Sequence, residues 1–196
     1  MEAKNIIITA MSRSGEGRGL RIIGQNKHLS EGHMSKADHN LVVMTDLDRL
    51  GHEDWIVITA YYAMYQSALA LLAKIGLESK EHTTTVAVLE YLFGGHIGKE
   101  LIGKFDKLKE KKESLHIVIE EKYVNYFWKI KRERETVQYG ISIGYKEKDA
   151  VINHAREFVS KIKLVNSELN EKLVEEIIGR ISAIKKEAEK LKLKSD

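Results

Sequence analysis

An all-α protein is predicted, on three observations. Residues from Asp54 to Ile75 form one long helical segment that is apolar on nearly every side. Proline is absent from all 196 residues, so no helix is broken by a missing N–H. Most remaining segments repeat apolar residues at the three- and four-residue spacing of an amphipathic helix.

The arrangement along the chain follows from local signals. Residues 1–28 are the least regular and are expected to form an arm or a small hairpin. Ile6-Ile7-Ile8 and Leu20-Arg21-Ile22-Ile23 are strand-like runs, separated by a Gly- and Ser-rich loop from Ser12 to Gly19. A helix from Ser30 to Leu50 follows, with Ser30 as its N-cap, Ala37, Leu41, Met44 and Leu47 as its stripe, and Gly51 in the left-handed position past its end. Asp54 opens the long apolar helix, where a negative charge favours the N-terminus. Gly76 closes it. From Trp55 to Ala73 only Thr59, Gln66 and Ser67 are not apolar. That length could span a bilayer, but Tyr61, Tyr62 and Tyr65 fall mid-segment rather than at the interface. No membrane association is expected, and the centre of a helical core explains the segment more simply.

Downstream, helices are predicted from Lys80 to Phe93, around Lys99 to Lys112, from Leu115 to Tyr139 and from Tyr145 to Val165. Thr83-Thr84-Thr85-Val86 carries strand propensity inside the first of these. The last helix, Leu169 to Leu193, has Val174, Ile177, Ile181, Ile184, Ala188 and Leu191 in a short heptad-like seam. The seam suits packing on the chain's own core or on a second subunit. The domain reading is an arm at 1–28, a helical body at 29–166 and a C-terminal helix at 167–196.

Composition narrows the chemistry. With no cysteine there are no disulfides and no thiolate metal ligands. The residues Met1 to Ala10 are too short an apolar run for a secretory leader, so a cytoplasmic protein is expected. A net charge of +3 does not by itself mark a nucleic-acid binder. His28, His33 and His39 stand five and six residues apart, which does not stack two metal ligands on one helix face. No metal and no cofactor are expected. The Ser14–Gly19 stretch lacks the Gly-Lys-Ser/Thr ending of a phosphate-binding P-loop and the strand–Gly–helix setting of a dinucleotide fold.

Arg134 is the most informative polar residue. At about 100° per residue it shares a helical face with Tyr123, Phe127, Ile130 and Val137. A guanidinium on an apolar stripe needs an anion, a structural acid or a wet cleft. Two readings stand: Arg134 snorkels or pairs with an acid, or it points into a cleft and grips an anion. His82 opens a helix and is either exposed or part of such a cleft. His154 borders the stripe of its own helix, which suits packing.

The run Ala60-Tyr61-Tyr62-Ala63-Met64-Tyr65, followed by Ser67-Ala68-Leu69-Ala70-Leu71-Leu72, resembles the core helix of the HEPN-domain family. Lys74-Ile75-Gly76-Leu77 with His82 beyond it, Arg134-Glu135-Thr136-Val137-Gln138-Tyr139-Gly140, and Ala155-Arg156-Glu157-Phe158-Val159 are similar to later segments of that family, in the same order. The likeness covers residues 30–165. It implies an antiparallel four- to five-helix bundle, a homodimer and a cleft near Arg134. It also implies binding of nucleotide or RNA and work beside a partner such as a small nucleotidyltransferase. On this reading Arg134, Tyr139, Tyr62 and His82 bind the ligand. Some family members are metal-independent ribonuclease toxins of toxin–antitoxin pairs, with an arginine and a histidine separated by four to six residues. Here Tyr139, Gly140 and Ile141 stand where that histidine would follow Arg134, and Gln138 replaces an Asp common before the Tyr. Arg21 and His28 match the spacing only within the arm. Cleavage would then fall to Arg134 with Tyr139, a poor base near neutral pH, or with His82 if the fold brings it close. A third expectation is a structural protein that dimerises through the C-terminal seam.

Overall fold

A computed structural model describes residues 2–13, 19–94, 118–140 and 147–193. The described residues form seven helices and one two-stranded sheet, so the all-α class holds. In chain order they are α1 (Ala3–Ser12), β1 (Leu20–Ile22), α2 (Lys27–Leu50), α3 (Glu53–Lys74), β2 (Leu77–Ser79), α4 (His82–Phe93), α5 (Glu121–Tyr139), α6 (Lys148–Glu168) and α7 (Glu171–Lys192).

Helix α3 is the hub. It packs against α2, α4, α5 and α6, and Ile56, Ala60, Tyr61, Met64, Leu71 and Leu72 are fully buried. It is long and apolar enough to cross a membrane, and here its apolar surface is covered by protein instead. Gly51, with φ of 75°, reverses the chain between α2 and α3 as its left-handed position requires.

Several boundaries shift for identifiable reasons. The N-cap of α2 is Asn26, whose Oδ1 accepts from the Leu29 N–H at 2.9 Å. Ser30 lies inside the helix, is buried, and donates its hydroxyl to the Ala70 carbonyl of α3 at 2.7 Å. Helix α5 starts at Glu121, and Leu115, where its start was expected, lies outside the described residues. Glu120 just before it is extended, and the Ile119 N–H donates to the Phe93 carbonyl at 2.8 Å. The helix expected at Lys99–Lys112 and the start at Tyr145 lie outside the described residues.

The N-terminal arm is corrected most. Ile6-Ile7-Ile8 is helical, not a strand. Ile7, Ala10 and Met11 form a buried stripe at three- and four-residue spacing, and tertiary packing on α4 and α7 overrides the β-branched propensity. Leu20–Ile22 is a strand, but it pairs antiparallel with Leu77–Ser79 and not with Ile6–Ile8. The seam of α7 packs on α1 of its own chain, with Lys4 and Glu187 bridged at 3.0 Å. Val174, Ile177, Ile181, Ile184 and Ala188 are buried there, while Leu191 is exposed.

Gly76 fastens the β1–α2 connection to the end of α3. Its φ is 79°, and a Cβ at this position would lie 2.9 Å from the Gly24 carbonyl carbon. The Asn26 N–H meanwhile donates to the Ala73 carbonyl at 3.0 Å. Gly51 has a similar φ but open space around it. We expect Gly51→Ala to cost about 1 kcal/mol in urea denaturation through backbone strain alone, and Gly76→Ala to cost about 2 kcal/mol or more because the strain is joined by the backbone clash.

Candidate anion site on the central helix

Three elements bring Arg134, His82 and a tyrosine cluster together. The tyrosines come from the first half of α3. Tyr61 and Tyr65, one turn apart, stack with centroids 6.0 Å apart, and Tyr62 meets Tyr61 edge-on at 5.5 Å. Tyr61 is wholly buried. A buried hydroxyl without a partner is costly, and Tyr61 resolves this by bonding to Nδ1 of His82.

His82 is held by the β2–α4 turn. The Thr84 hydroxyl donates to Glu81 Oε2 at 2.9 Å, and the Thr85 hydroxyl reaches Ser79 Oγ at 2.9 Å and the Glu81 carbonyl at 3.0 Å. This knit fixes the first turn of α4 and sets the imidazole against Tyr65, with centroids 4.3 Å apart. Burial pushes the His82 pKa below the ordinary histidine value, and the Arg134 and Lys131 cations push it the same way, against Glu135. Burial pushes the Tyr61 phenol well above the usual tyrosine range and raises Tyr65 as well. Tyr61 therefore stays protonated and donates, His82 Nδ1 accepts, and the ring proton of the neutral imidazole sits on Nε2.

Arg134 comes from the last third of α5. Its guanidinium carbon lies 5.0 Å from the Tyr61 ring centroid and 5.8 Å from that of Tyr62. Among the described residues its buried Nε has no hydrogen-bond partner. Of the two readings for this residue, the structure supports a cation resting on aromatic faces over one paired with an acid. Of the two carboxylates adjacent in sequence, Glu135 is engaged by Lys131 at 2.8 Å and Glu133 pairs with Lys129 at 3.6 Å. The Lys131 ammonium holds the Glu135 carboxyl below the usual carboxylate range.

The fold thus joins Arg134, His82 and Tyr62, and leaves Tyr139 apart. Tyr139 ends α5 with 75% of its surface exposed. Five residues on a helix carry it about 140° round from Arg134, so it faces away from the cluster. Tyr61, Tyr65, Lys131 and Glu135 belong to the site without having been singled out by sequence. The i, i+4 placement of Tyr61 and Tyr65 was the available signal. His154 stacks on Tyr126 at 3.7 Å, consistent with packing. His96 and His116, expected from the sequence to be exposed and without an obvious partner, lie outside the described residues. Among the described residues no His, Asp and Glu group is arranged to hold a metal ion.

Neither the family models nor the curated proteins compared with this chain give a match.

The half-buried imidazoles set a pH dependence. His82 titrates below an ordinary histidine, so the unfolded chain takes up a proton more readily than the folded one as pH falls. The stability from neutral His82 is complete above about pH 6.5 and is lost as pH falls through the folded value. Burial, then Lys129, lowers His154 in the same direction. We expect the melting temperature to drop between about pH 7 and pH 5, less in His82→Gln than in the parent, and least in His82→Gln/His154→Gln. An equal drop in all three would show that neither ring carries the effect.

Proposed function

We propose that this chain is a HEPN-like helical protein that binds a phosphate of a nucleotide or RNA at Arg134 and acts beside a partner, such as a small nucleotidyltransferase. One observation carries the reading: the Arg134 guanidinium lies on the Tyr61 and Tyr62 rings with its buried Nε unpartnered among the described residues. Contact with the aromatic rings does not consume the guanidinium N–H groups, which can donate to a planar or tetrahedral oxyanion. His82 adds an Nε2–H donor. The family-like Tyr-Tyr run, the His-containing entry to α4 and the Arg-containing end of α5 lie far apart in sequence and meet at this point, which favours the HEPN-like reading over chance likeness of each segment. A homodimer belongs to the same proposal. Leu50 and Trp55, both exposed beside the α2–α3 turn, offer apolar surface for it.

Binding of ATP or a short RNA is expected to weaken by about tenfold or more in Arg134→Ala, the loss of a charge-assisted hydrogen-bonding group. Arg134→Lys should recover little of it, because a lysine does not reproduce the stacked fork. Calorimetry on the three proteins checks this, and unchanged affinity in Arg134→Ala would sink the proposal.

A second reading, metal-independent RNA cleavage, draws on the fact that His82 and Arg134 both touch Tyr61. Cleavage needs a base to take the ribose 2′-hydroxyl proton, a cation for the phosphorane and an acid to protonate the leaving 5′-oxygen. Arg134 fits the cation. His82 fits base or acid less well, since Tyr61 holds it in the Nε2–H form and its low pKa keeps it neutral. This reading predicts RNA cleavage in EDTA that is lost in both Arg134→Ala and His82→Ala. Intact total RNA and tRNA across mildly acidic to mildly basic pH would count against it. The third expectation, dimerisation through the C-terminal seam, loses its main support because α1 already covers that seam.

A further inference from the structure

We infer that the Arg134 site continues along α3 into a pocket that takes the base of the bound nucleotide. The inference rests on the phosphate reading of Arg134. Between Ala60 and Ala73 only Tyr62, Gln66 and Leu69 are half-buried, and every other residue is buried. Their spacing of four and three places them on one stripe. Arg134 lies over the Tyr62 end of that stripe. At its other end Leu69 borders a cavity of about 300 Å³, walled by Leu29 and His33 of α2, Tyr65 of α3, Leu77 of β2, and Lys80.

The lining combines apolar walls with polar groups, as a flat heteroaromatic ring with a hydrogen-bonding edge requires. Leu29, Leu69, Ala73 and Leu77 are apolar walls, Tyr65 supplies an aromatic surface, and the polar residues His33, Glu78, Ser79 and Lys80 also line the cavity and can fix orientation. The His33 Nδ1 donates to Gln66 Oε1 at 2.7 Å. That bond leaves Nε2 as the acceptor of the neutral ring, suited to an N–H on a base edge. Lys80, tied to Glu78 at 2.7 Å, adds a cation at the rim. Seven residues from Tyr62 to Leu69 span about 10 Å along the helix, which is the reach of a nucleoside monophosphate from phosphorus to the outer edge of its base. Gln66, midway, is already committed to His33 and shapes the floor between the two ends.

The test compares AMP with ribose 5-phosphate, which keeps the phosphate and sugar but lacks the base. Titrations use the full chain, Leu69→Trp, His33→Ala and Arg134→Ala. In the parent, AMP should bind about tenfold tighter than ribose 5-phosphate. Leu69→Trp fills the pocket and should bring AMP to the level of ribose 5-phosphate while leaving ribose 5-phosphate unchanged. His33→Ala, on a different helix and only half-buried, should weaken AMP severalfold with no effect on ribose 5-phosphate, and it decides the matter if Leu69→Trp does not fold. Arg134→Ala should weaken both ligands. A 5′-phosphorylated tetraribonucleotide in parallel separates a free nucleotide from an RNA end: whichever binds tighter must lose that advantage in Leu69→Trp. Equal affinity of AMP and ribose 5-phosphate in the parent, or AMP binding untouched by both pocket variants, overturns the base pocket while the Arg134 site stands. Failure of both ligands to bind the parent removes the Arg134 site and the pocket with it.

Discussion

Helix α3 has no polar face to turn to water, and the other helices are placed by the need to cover it. A helix apolar all round is stable only when protein surrounds it, and α2, α4, α5 and α6 each take a side. Two small-residue approaches tighten the cover. Ser30 of α2 donates into the Ala70 carbonyl of α3. Gly76 lets the residue 24–26 strand of backbone lie directly on the turn that ends α3. The outer helices answer a second, smaller demand. Helices α1 and α7 bury each other's stripes, and α1 also covers α4. The cover over α3 is incomplete along Tyr62, Gln66 and Leu69, and the candidate site lies on that gap.

The site is built from the same demand. Burying Tyr61 in the core strands a hydroxyl, and the nearest group able to accept it is the His82 imidazole. Holding His82 there requires the Ser79–Thr85 knit at the start of α4. The tyrosine faces then offer Arg134 a place to lie, without a carboxylate to neutralise it. Core packing, polar satisfaction and the cation's exposed edge are therefore one connected arrangement, and a change to Tyr61 would disturb all three.

Much of this was legible from residue patterns, and the failures have physical causes. The extent of α2, α3 and α4 was readable within a few residues, because glycines in left-handed geometry end α2 and close the turn after α3. Ile6-Ile7-Ile8 misled because residue type outweighed spacing; the Ile7, Ala10, Met11 stripe becomes visible only beside its partners. The seam of α7 was readable, but which surface it meets depends on α1 being a helix. Arg134 stood out by its place on an apolar face, and His82 was an open question because its value depends on an α3–α4 contact that no local pattern encodes. Tyr139 was drawn in by its closeness in sequence, and helical geometry turns it away.

The electrostatics of the cluster set what the site can hold. Lys131 is neutralised by Glu135, and His82 is kept neutral by burial, by the neighbouring cations and by the Tyr61 hydroxyl on its Nδ1. Arg134 is left as the net charge facing the gap along α3. One positive charge balances a phosphodiester and only part of the charge of about −2 on a terminal phosphate, and the remaining oxyanions of any longer phosphate chain stay paired with solvent ions. Ionic attraction from a single partly exposed guanidinium is modest and screened by salt. Tight or selective binding on this frame must come from burying something apolar and flat beside the phosphate. The hollow between Leu29, Leu69 and Leu77, at the other end of the same helical stripe, is where the fold leaves room for it.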